Sequence, residues 1–249
     1  MADPGDLRWS GDARSAVRAV RQAVSGDPAG LPDRLCRALA AALGVDGAGM
    51  SLLTDTSFRL RLGSSDDLAE LLETVQFTVG EGPCVQAAAT GDPVLVKDLH
   101  AQAGARWPGF AALAARRLRE VGAVFGFPLG IGGVSVGSVN LYSRTCQALS
   151  SAQIAQTAEA VAIATAALLA SPPPADEPST EESVQALTET DPWRAMHLAI
   201  GVMAGRLDVE PVEALARMRA DAFNHDMLLT DLATQILTDR LGPSELDRS

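Results

Sequence analysis

The 249-residue sequence has little of what metal sites and disulfide frameworks need. It holds three cysteines and three histidines. Cys36, Cys84 and Cys146 lie far apart with no C-x-x-C pair, which argues against both a disulfide framework and a zinc site. The histidines form no H-x-x-H or H-E-x-x-H cluster either. We therefore expect reduced thiols in or near the core, no bound metal and no cofactor.

Long apolar runs and nucleotide-binding motifs are also missing. The longest apolar candidate, "AVAIATAALLA" ending at Ala170, is shorter than the eighteen or so residues of a membrane span. The first 30 residues lack the pattern of a secretory signal. Neither G-x-G-x-x-G nor a Walker A run occurs. We expect a cytoplasmic protein that does not contact a membrane.

Positive charge is scarce in the C-terminal third. The formal net charge is −11, and residues 171–249 carry 6 basic and 15 acidic groups, against 14 and 16 in residues 1–170. Binding to nucleic acid without sequence preference depends mainly on phosphate contacts from Lys and Arg. The acidic C-terminal part therefore argues against a generic nucleic-acid binder.

A proline-rich, acidic segment divides the chain. "SPPPADEPSTEES", which begins at Ser171, cannot pack a core and favours extended geometry. We predict an N-terminal helical extension (1–30), a first domain (31–170), a Pro-rich linker (171–186) and a C-terminal domain (187–249). Because Pro172, Pro173 and Pro174 would interrupt a continuous rigid helix, control by docking or dimerisation is the better hypothesis.

The first domain mixes helical and extended patterns. "LPDRLCRALAAAL" predicts a helix from Leu31 to Leu43, and "DDLAELLETV" and "FAALAARRLREVG" predict two more, the last ended by Gly122. "GAGMSLLTD", "SFRLRLGSS" and "PVLVKDL" predict strands. The alternation of Phe58, Leu60 and Leu62 with polar residues predicts that the second of these is a half-buried antiparallel strand.

The second half of that domain carries clear turn and cap signals. Pro83 fits the first turn of a short helix that stops at Gly91. Two strands flank the turn at residues 132–133, and Ser150 or Ser151 can cap a long helix to about Ala170. This order predicts an α+β fold, an antiparallel sheet with packed helices, rather than a doubly wound parallel sheet.

Three short helices are predicted at the C-terminus. Asp191 with Pro192 begins the first, Glu210 with Pro211 the second, and Thr230 can cap the third. So few helices barely build an independent core, so docking or dimerisation is expected. The predicted apolar faces are Met196, Ile200, Met203 and Leu207 in the first helix and Val212, Leu215, Met218 and Ala222 in the second.

The first domain resembles a GAF domain of the form found in actinobacterial signalling proteins. The resemblance rests on "GMSLLTD", "GEGPCVQAAATGDPVLVKDL", "RWPGFAALA" and "VFGFPLGIGGVSVGSVNLYS". It implies a module for sensing a small molecule or for dimerisation, usually without catalysis. Residues on elements that could line a ligand pocket are Met50, Trp107, Phe127, Asn140 and Tyr142, each of which also fits a core position.

The C-terminal domain resembles the ANTAR domain, a small three-helix RNA-binding unit linked to transcription antitermination in bacteria. The resemblance covers about residues 197–237, in "LAIGVMAGRLDVEPVEALARMRADAFNHDMLLTDLA". It implies a homodimer that binds tandem stem-loops in nascent transcripts. The candidate RNA-binding residues are Arg219, Ala199, Gly201, Ala222, Arg206 and His225, although close helix packing alone also explains the small ones.

The sequence departs from the ANTAR pattern at three positions. Ile200 stands where the family often has a basic residue, and Met227 and Leu228 occupy a loop that is often polar or basic. Arg219 ranks first among the remaining donors, because a guanidinium pairs bidentately with a phosphate or a guanine edge.

Three functions compete on these grounds. The first is a regulator whose GAF-like domain responds to a ligand or partner and whose ANTAR-like domain binds hairpin RNA. The second is a protein-binding signalling module that has reduced or lost RNA binding. The third is a reductase of methionine sulfoxide, which needs an activated thiolate; Cys84 at a helix start is a candidate, but no companion cysteine lies near it in sequence. We predict the first and no enzyme activity.

Overall fold

The computed structural model describes residues 15–25, 30–53, 58–131, 133–171 and 191–238. Within these ranges the chain forms ten α-helices and five β-strands. The strands are β1 (Gly47–Leu53), β2 (Arg59–Ser64), β3 (Val94–Val96), β4 (Ala123–Ile131) and β5 (Val134–Ser143). The helices are α1 (Ser15–Val24), α2 (Leu31–Leu43), α3 (Asp67–Val79), α4 (Pro83–Thr90), α5 (Leu99–Arg106), α6 (Pro108–Arg117), α7 (Ser151–Ala170), α8 (Pro192–Leu207), α9 (Pro211–Asn224) and α10 (Leu229–Leu237).

The strands form one antiparallel sheet in the order β2-β1-β5-β4-β3, with a helical layer on each face. One face packs against α2 and α7, and α1 packs on these two helices. The other face packs against α3, α4 and α5, and α6 packs on α3 and α5. Successive side chains of a strand point to opposite faces, so each strand contributes to both cores. The predicted α+β architecture is confirmed.

Helices α8, α9 and α10 form the C-terminal helical unit, with a core of their own. Met196, Met203, Leu215, Met218 and Leu232 are buried in it. Phe77 of α3 belongs to the same cluster. The helical unit is therefore packed directly on the outer side of α3.

Most of the predicted helix ends are confirmed. The α2 helix spans the predicted residues, and α4 begins at Pro83 and ends at Gly91, whose φ of 73° suits glycine. The Ser150 hydroxyl accepts from the amide of Gln153 in a capping box at the start of α7, and Asp191 caps α8. The predicted proline-rich linker lies outside the described residues from residue 172 onward.

The structure differs from the predicted elements in four places. Helix α5 was not predicted, and α6 ends at Arg117 instead of continuing to Gly122, because Leu118 and Val121 turn into the core. Thr230 does not cap the third helix, which begins at Leu229. Val212 is 43% exposed rather than part of the buried face of α9.

Helix α7 has the length and apolar composition of a membrane span, which the sequence prediction had excluded. One third of its most apolar window is buried. Ala160, Val161 and Ala164 supply that buried side, and α7 contacts α1 and β4. One side of α7 therefore packs into the first domain.

Candidate functional site

A chain of buried polar side chains lies between α3 and the sheet. The Gln76 amide Nε2 donates to Asn140 Oδ1 at 2.9 Å, and its Oε1 accepts from the Cys84 backbone amide at 2.8 Å. Asn140 Nδ2 in turn donates to Glu73 Oε1 at 2.7 Å. All four residues are at most 1% exposed. We call Glu73, Gln76, Cys84 and Asn140 the polar network.

Two glycines make room for the polar network. A Cβ on Gly49 would stand 3.2 Å from Glu73 Cγ, and one on Gly82 would stand 2.6 Å from the Gln76 side chain. Gly82 also has a φ of 136°, which side-chain-bearing residues rarely adopt. The sequence "GEGPC" is therefore matched to the long polar side chains of α3.

Burial dominates the electrostatics of Glu73. Desolvation raises the pKa of its carboxyl from 4.5 to about 7, although the charge of Arg59 and the hydrogen bond from Asn140 act in the opposite direction. The Ser51 hydroxyl lies close to the same carboxyl and also favours its charged form, although it does not reach full hydrogen-bond geometry with Glu73 Oε2. Glu73 is therefore a carboxyl poised to change charge near neutral pH inside the domain.

Arg59 faces inward at the start of β2. It is 3% exposed, whereas the adjacent Leu60 is 49% exposed. The predicted half-buried strand exists. At its start, however, the polar residue is buried and the apolar residue is exposed. Arg59 Nη2 donates to Ser138 Oγ at 3.1 Å, and Nη1 has no partner among the described residues. The interior of this domain thus holds a guanidinium as well as a carboxyl.

The surroundings of Cys84 disfavour its thiolate form. Burial raises the pKa of its thiol far above the ordinary range, and the charge of Glu73 adds to the rise. Burial therefore opposes the activation that a helix start would give this thiol, since Cys84 is fully buried and contacts Asn140. Cys36 is likewise buried, and only Cys146 of the three is exposed.

The second feature is the contact between α3 and the C-terminal helical unit, which we call the docking contact. The Thr78 hydroxyl accepts from the Leu229 backbone amide at 3.0 Å, so a side chain of α3 satisfies a free donor at the start of α10. Arg219 Nε donates to the Phe77 carbonyl at 3.0 Å, and its guanidinium lies 4.8 Å from the centre of the Phe77 ring.

The turn between α9 and α10 adds a second part to the docking contact. Arg117 Nη2 donates to the Asp226 carbonyl at 2.8 Å, and Arg116 Nη1 lies 2.7 Å from Asp226 Oδ1. Leu228 is buried in the apolar cluster beneath α3 and α6. The apolar loop residue is therefore covered by the chain's own first domain.

Comparison with known families decides which fold family the first domain represents. A family model described as "GAF domain" matches residues 26–169, more than half of the chain. The chain belongs to the GAF domain family. No curated protein matches the chain. The match ends at residue 169, so the resemblance of residues 187–249 to the ANTAR domain stays a prediction.

Three solved structures of low sequence identity are similar to this chain. The GAF domain of an Acinetobacter phosphoenolpyruvate-protein phosphotransferase is 15% identical over 62% of this chain and 90% of that one, with a TM-score of 0.47. Free methionine-R-sulfoxide reductase from Neisseria meningitidis, in complex with its substrate, is 18% identical over 69% of this chain and 93% of that one, with a TM-score of 0.49. The GAF domain of a Coxiella burnetii phosphoenolpyruvate-protein phosphotransferase is 15% identical over 64% of this chain and 95% of that one, with a TM-score of 0.47.

The GAF domain does not bring the predicted pocket residues together. Met50 and Phe127 lie in the core on the α1, α2 and α7 side of the sheet, and Trp107 packs among α3, α5 and α6. Asn140 alone belongs to the polar network. Strand alternation separates residues that looked equivalent in sequence.

Tyr142 lies on a different, open cleft of about 440 Å³ on the surface of the GAF domain. Its hydroxyl donates to Asp66 Oδ1 at 2.8 Å. Arg37, Asp46 and Arg144 also line this cleft. It lies apart from the polar network. In the described part of the chain, no group of three metal-ligating side chains occurs.

The candidate RNA-binding residues of the helical unit are also divided. Ala199 and Ala222 are fully buried in its core, so they pack helices and offer no surface to RNA. A Cβ added at Gly201 would meet no atom of the described residues within 4 Å, so close packing among them does not explain this glycine, although the sequence had suggested it. Arg206 is exposed, and His225, with its side chain 60% exposed, contacts Asp221.

Arg219 and Ile200 need a different interpretation from the one the sequence suggested. Arg219 is engaged by the GAF domain. Ile200 is 1% exposed in the helical core, so this position does not lack a surface cation.

Sequence reasoning missed the residues that join the two features. Glu73, Gln76 and Thr78 stand in a helix whose pattern gives no sign of burial on every side, yet all three are buried. Arg59 was assigned to the polar side of a strand. Two glycines that face α3, Gly49 and Gly82, are the sequence feature that could have indicated buried long side chains on this helix.

Proposed function

We propose that the chain is a signal-responsive bacterial regulator whose GAF domain controls RNA binding by the C-terminal helical unit. The proposed targets are tandem stem-loops in nascent transcripts, and the outcome is transcription antitermination. The observation that carries the proposal is the position of Arg219. The strongest sequence candidate for RNA contact is held against Phe77 of the GAF domain.

The docked arrangement is the RNA-free state in this proposal. In this state Arg219 is half-buried, with its Nε and one face of its guanidinium engaged by Phe77, so the proposed RNA contact requires its release. Release of the helical unit exposes Arg219 on the same unit that carries Arg206 and His225. Because the C-terminal third is acidic, recognition rests on loop bases and RNA shape rather than on bulk charge.

Helix α3 supplies the route from signal to release. Its inner side holds Glu73 and Gln76 in the polar network, and its last turn holds Phe77 and Thr78 in the docking contact. Residues at i and i+4 of a helix lie on the same face, about 5–6 Å apart. A ligand or charge change that shifts Glu73 therefore acts on the docking contact through one helical turn.

The test compares two alanine variants of α3. Thr78→Ala removes the acceptor of the Leu229 amide and leaves a buried donor unsatisfied, which costs about 1–3 kcal/mol. Thr74→Ala is the matched control, because its hydroxyl donates to the Glu70 carbonyl in the same manner as that of Thr78 to Thr74, without a bond to the helical unit. The measurement is a mobility shift of a tandem-hairpin RNA at about 50 mM salt.

We expect Thr78→Ala to bind the RNA at least about fivefold more tightly than the wild type, since 1 kcal/mol of docking is lost. Thr74→Ala should match the wild type, and adding Arg219→Gln to Thr78→Ala should remove the gain. If none of the three forms shifts a tandem-hairpin RNA, the RNA target is wrong.

The second candidate function is a protein-binding signalling module. Leu198, Val212 and Phe223 are each more than 40% exposed on the helical unit. Exposed apolar groups of this size suit a protein partner. Phe223→Ser favours this alternative if it abolishes regulation in cells and leaves RNA binding unchanged.

We further propose that the regulator is a cytoplasmic homodimer without catalytic activity. Two helical units in one assembly match a target of two hairpins. Light scattering of the purified chain tests the dimer, and a thiol-dependent assay with free methionine sulfoxide tests for reductase activity.

A further inference from the structure

Helix α8 carries two glycines on a side that no other described part of the chain covers. A Cβ added at Gly201 or at Gly205 would meet no atom of the described residues within 4 Å, and both positions are exposed. Glycine in the middle of a helix is less favourable than alanine. Packing among the described residues therefore does not explain why two glycines stand one turn apart in this helix.

The two glycines belong to a stripe along α8 that we call the open face. Its members recur at spacings of four and three residues, which places them on one side of a helix. All are exposed: Arg194, Leu198, Gly201, Gly205 and Asp208. Leu198, the one large apolar side chain of the stripe, is 44% exposed. The open face thus combines a projecting apolar side chain with the gaps that the glycines leave.

The ends of the open face carry opposite charges. Arg194 lies in the first turn of α8, and Asp208 is the residue that ends the helix. Both lie seven residues from Gly201, which is about 10 Å along a helix axis. If two copies of α8 run antiparallel about a two-fold axis at Gly201, each Arg194 therefore faces the partner's Asp208.

The same register matches the middle of the open face. Leu198 lies three residues before Gly201, and Gly205 lies four residues after it. In the antiparallel pair Leu198 therefore lies within one residue of the level of the partner's Gly205, where the gap receives its side chain. Small residues at a helix crossing let the two backbones approach closely. One arrangement accounts for the glycines, for the exposed leucine and for the terminal charges.

We propose that the open face is the surface through which two copies of this chain pair, with their α8 helices antiparallel. The surface is self-complementary, as an interface with two-fold symmetry requires. RNA fits it less well, because phosphate contacts depend on cations and the open face has one arginine and one aspartate. Segment 172–190 of the same chain also fits poorly, because it has five acidic and no basic residues and Asp208 repels it.

This pairing rests on the homodimer of the proposed function and names its contact surface. Arg219 and His225 lie on α9 and at its end, outside the open face. Each copy therefore keeps its own candidate RNA contacts. A dimer paired through α8 presents two sets of them to a target of two hairpins.

Disulfide cross-linking of the full chain tests the geometry. Gly201→Cys is made in a Cys146→Ser background, since Cys146 is the exposed native thiol, and is oxidised with copper phenanthroline. A disulfide needs two Cβ atoms about 3.5–4.5 Å apart, which the two copies of position 201 reach at the axis. Arg206→Cys is the control, because Arg206 is also exposed on α8 but lies about 140° around the helix from Gly201.

We expect Gly201→Cys to form a covalent dimer at least about tenfold faster than Arg206→Cys, because only the first brings its thiols together at the axis. Equal rates in the two variants overturn the inference. The absence of a covalent dimer of Gly201→Cys overturns it as well.

Sedimentation equilibrium of the full chain measures the strength of pairing. Gly205→Leu fills the gap that receives Leu198 and should raise the dissociation constant of the dimer about tenfold or more. Leucine is used because alanine is still small enough for a close helix crossing. Gly104→Leu is the matched control and should leave the constant unchanged, because Gly104 is also helical and exposed, with no described atom within 4 Å of an added Cβ. An unchanged constant in Gly205→Leu overturns the inference.

Charge reversal gives a second measurement that leaves both glycines in place. Arg194→Glu should weaken the dimer, because two carboxylates then face each other at each end, and adding Asp208→Lys should restore it. Pairing of Arg194→Glu at wild-type strength, or a double variant as weak as Arg194→Glu, contradicts the antiparallel register. An RNA shift by a chain whose Gly201→Cys form does not cross-link refutes the pairing alone. Cross-linking without any RNA shift refutes the RNA target alone.

Discussion

Replacing Glu73 by glutamine should change how the stability of the protein depends on pH. The folded state takes up the Glu73 proton near pH 7, and the unfolded chain near pH 4.5. Below pH 4.5 the carboxyl is protonated in both states, so its ionisation does not change the free energy of unfolding. As pH rises from 4.5 to 7, the unfolded state ionises first, so the folded state loses about 3 kcal/mol in all.

Glu73→Gln keeps an oxygen for the Asn140 donor and removes the ionisation. Urea unfolding at pH 5 to 8 should show the wild type losing about 2.5 kcal/mol relative to the variant across that range. Glu70→Gln, on the same helix but paired with Arg61 near the surface, is the control and should follow the wild type. A wild type that gains stability relative to Glu73→Gln as pH rises would refute the reasoning about desolvation.

The remaining predictions concern the helical unit and the thiols. Gly201→Ala should stabilise the protein by about 0.5–1 kcal/mol in thermal unfolding, because the glycine is helical and open space surrounds it; destabilisation would show that the position packs against something after all. A thiol reagent at pH 8 should label Cys146 quickly and Cys36 and Cys84 only on unfolding, because the latter two are buried. Labelling of native Cys84 as fast as Cys146 would contradict its raised pKa.

Local signals in the sequence were enough to predict much of the fold. The Ser150 capping box, the Asp191–Pro192 start and the Gly91 stop each depend on a few neighbouring residues. Such signals work because they act through backbone donors within one turn. Helix α5 was missed because "LHAQAGAR" is short and buries only Leu99 and Ala103.

The candidate site could not be predicted in the same way. Helix α3 is buried on the sheet side and again under the helical unit, so residues 72–78 are all buried. An amphipathic pattern describes a helix with one buried side, and the second side depends on contacts more than 140 residues away in sequence. Arg59 was missed for a related reason, since its partner, Ser138 on β5, is 79 residues away in sequence.

The central claim is that the helical unit docks on α3 through Thr78 and Arg219. Hydrogen–deuterium exchange of the full chain tests it, with Thr78→Ala compared with Thr74→Ala. The account predicts that Thr78→Ala speeds exchange at the start of α10 and at the end of α3 together, by about fivefold or more, and that Thr74→Ala leaves the start of α10 unchanged. Equal exchange at the start of α10 in the wild type and Thr78→Ala would contradict it.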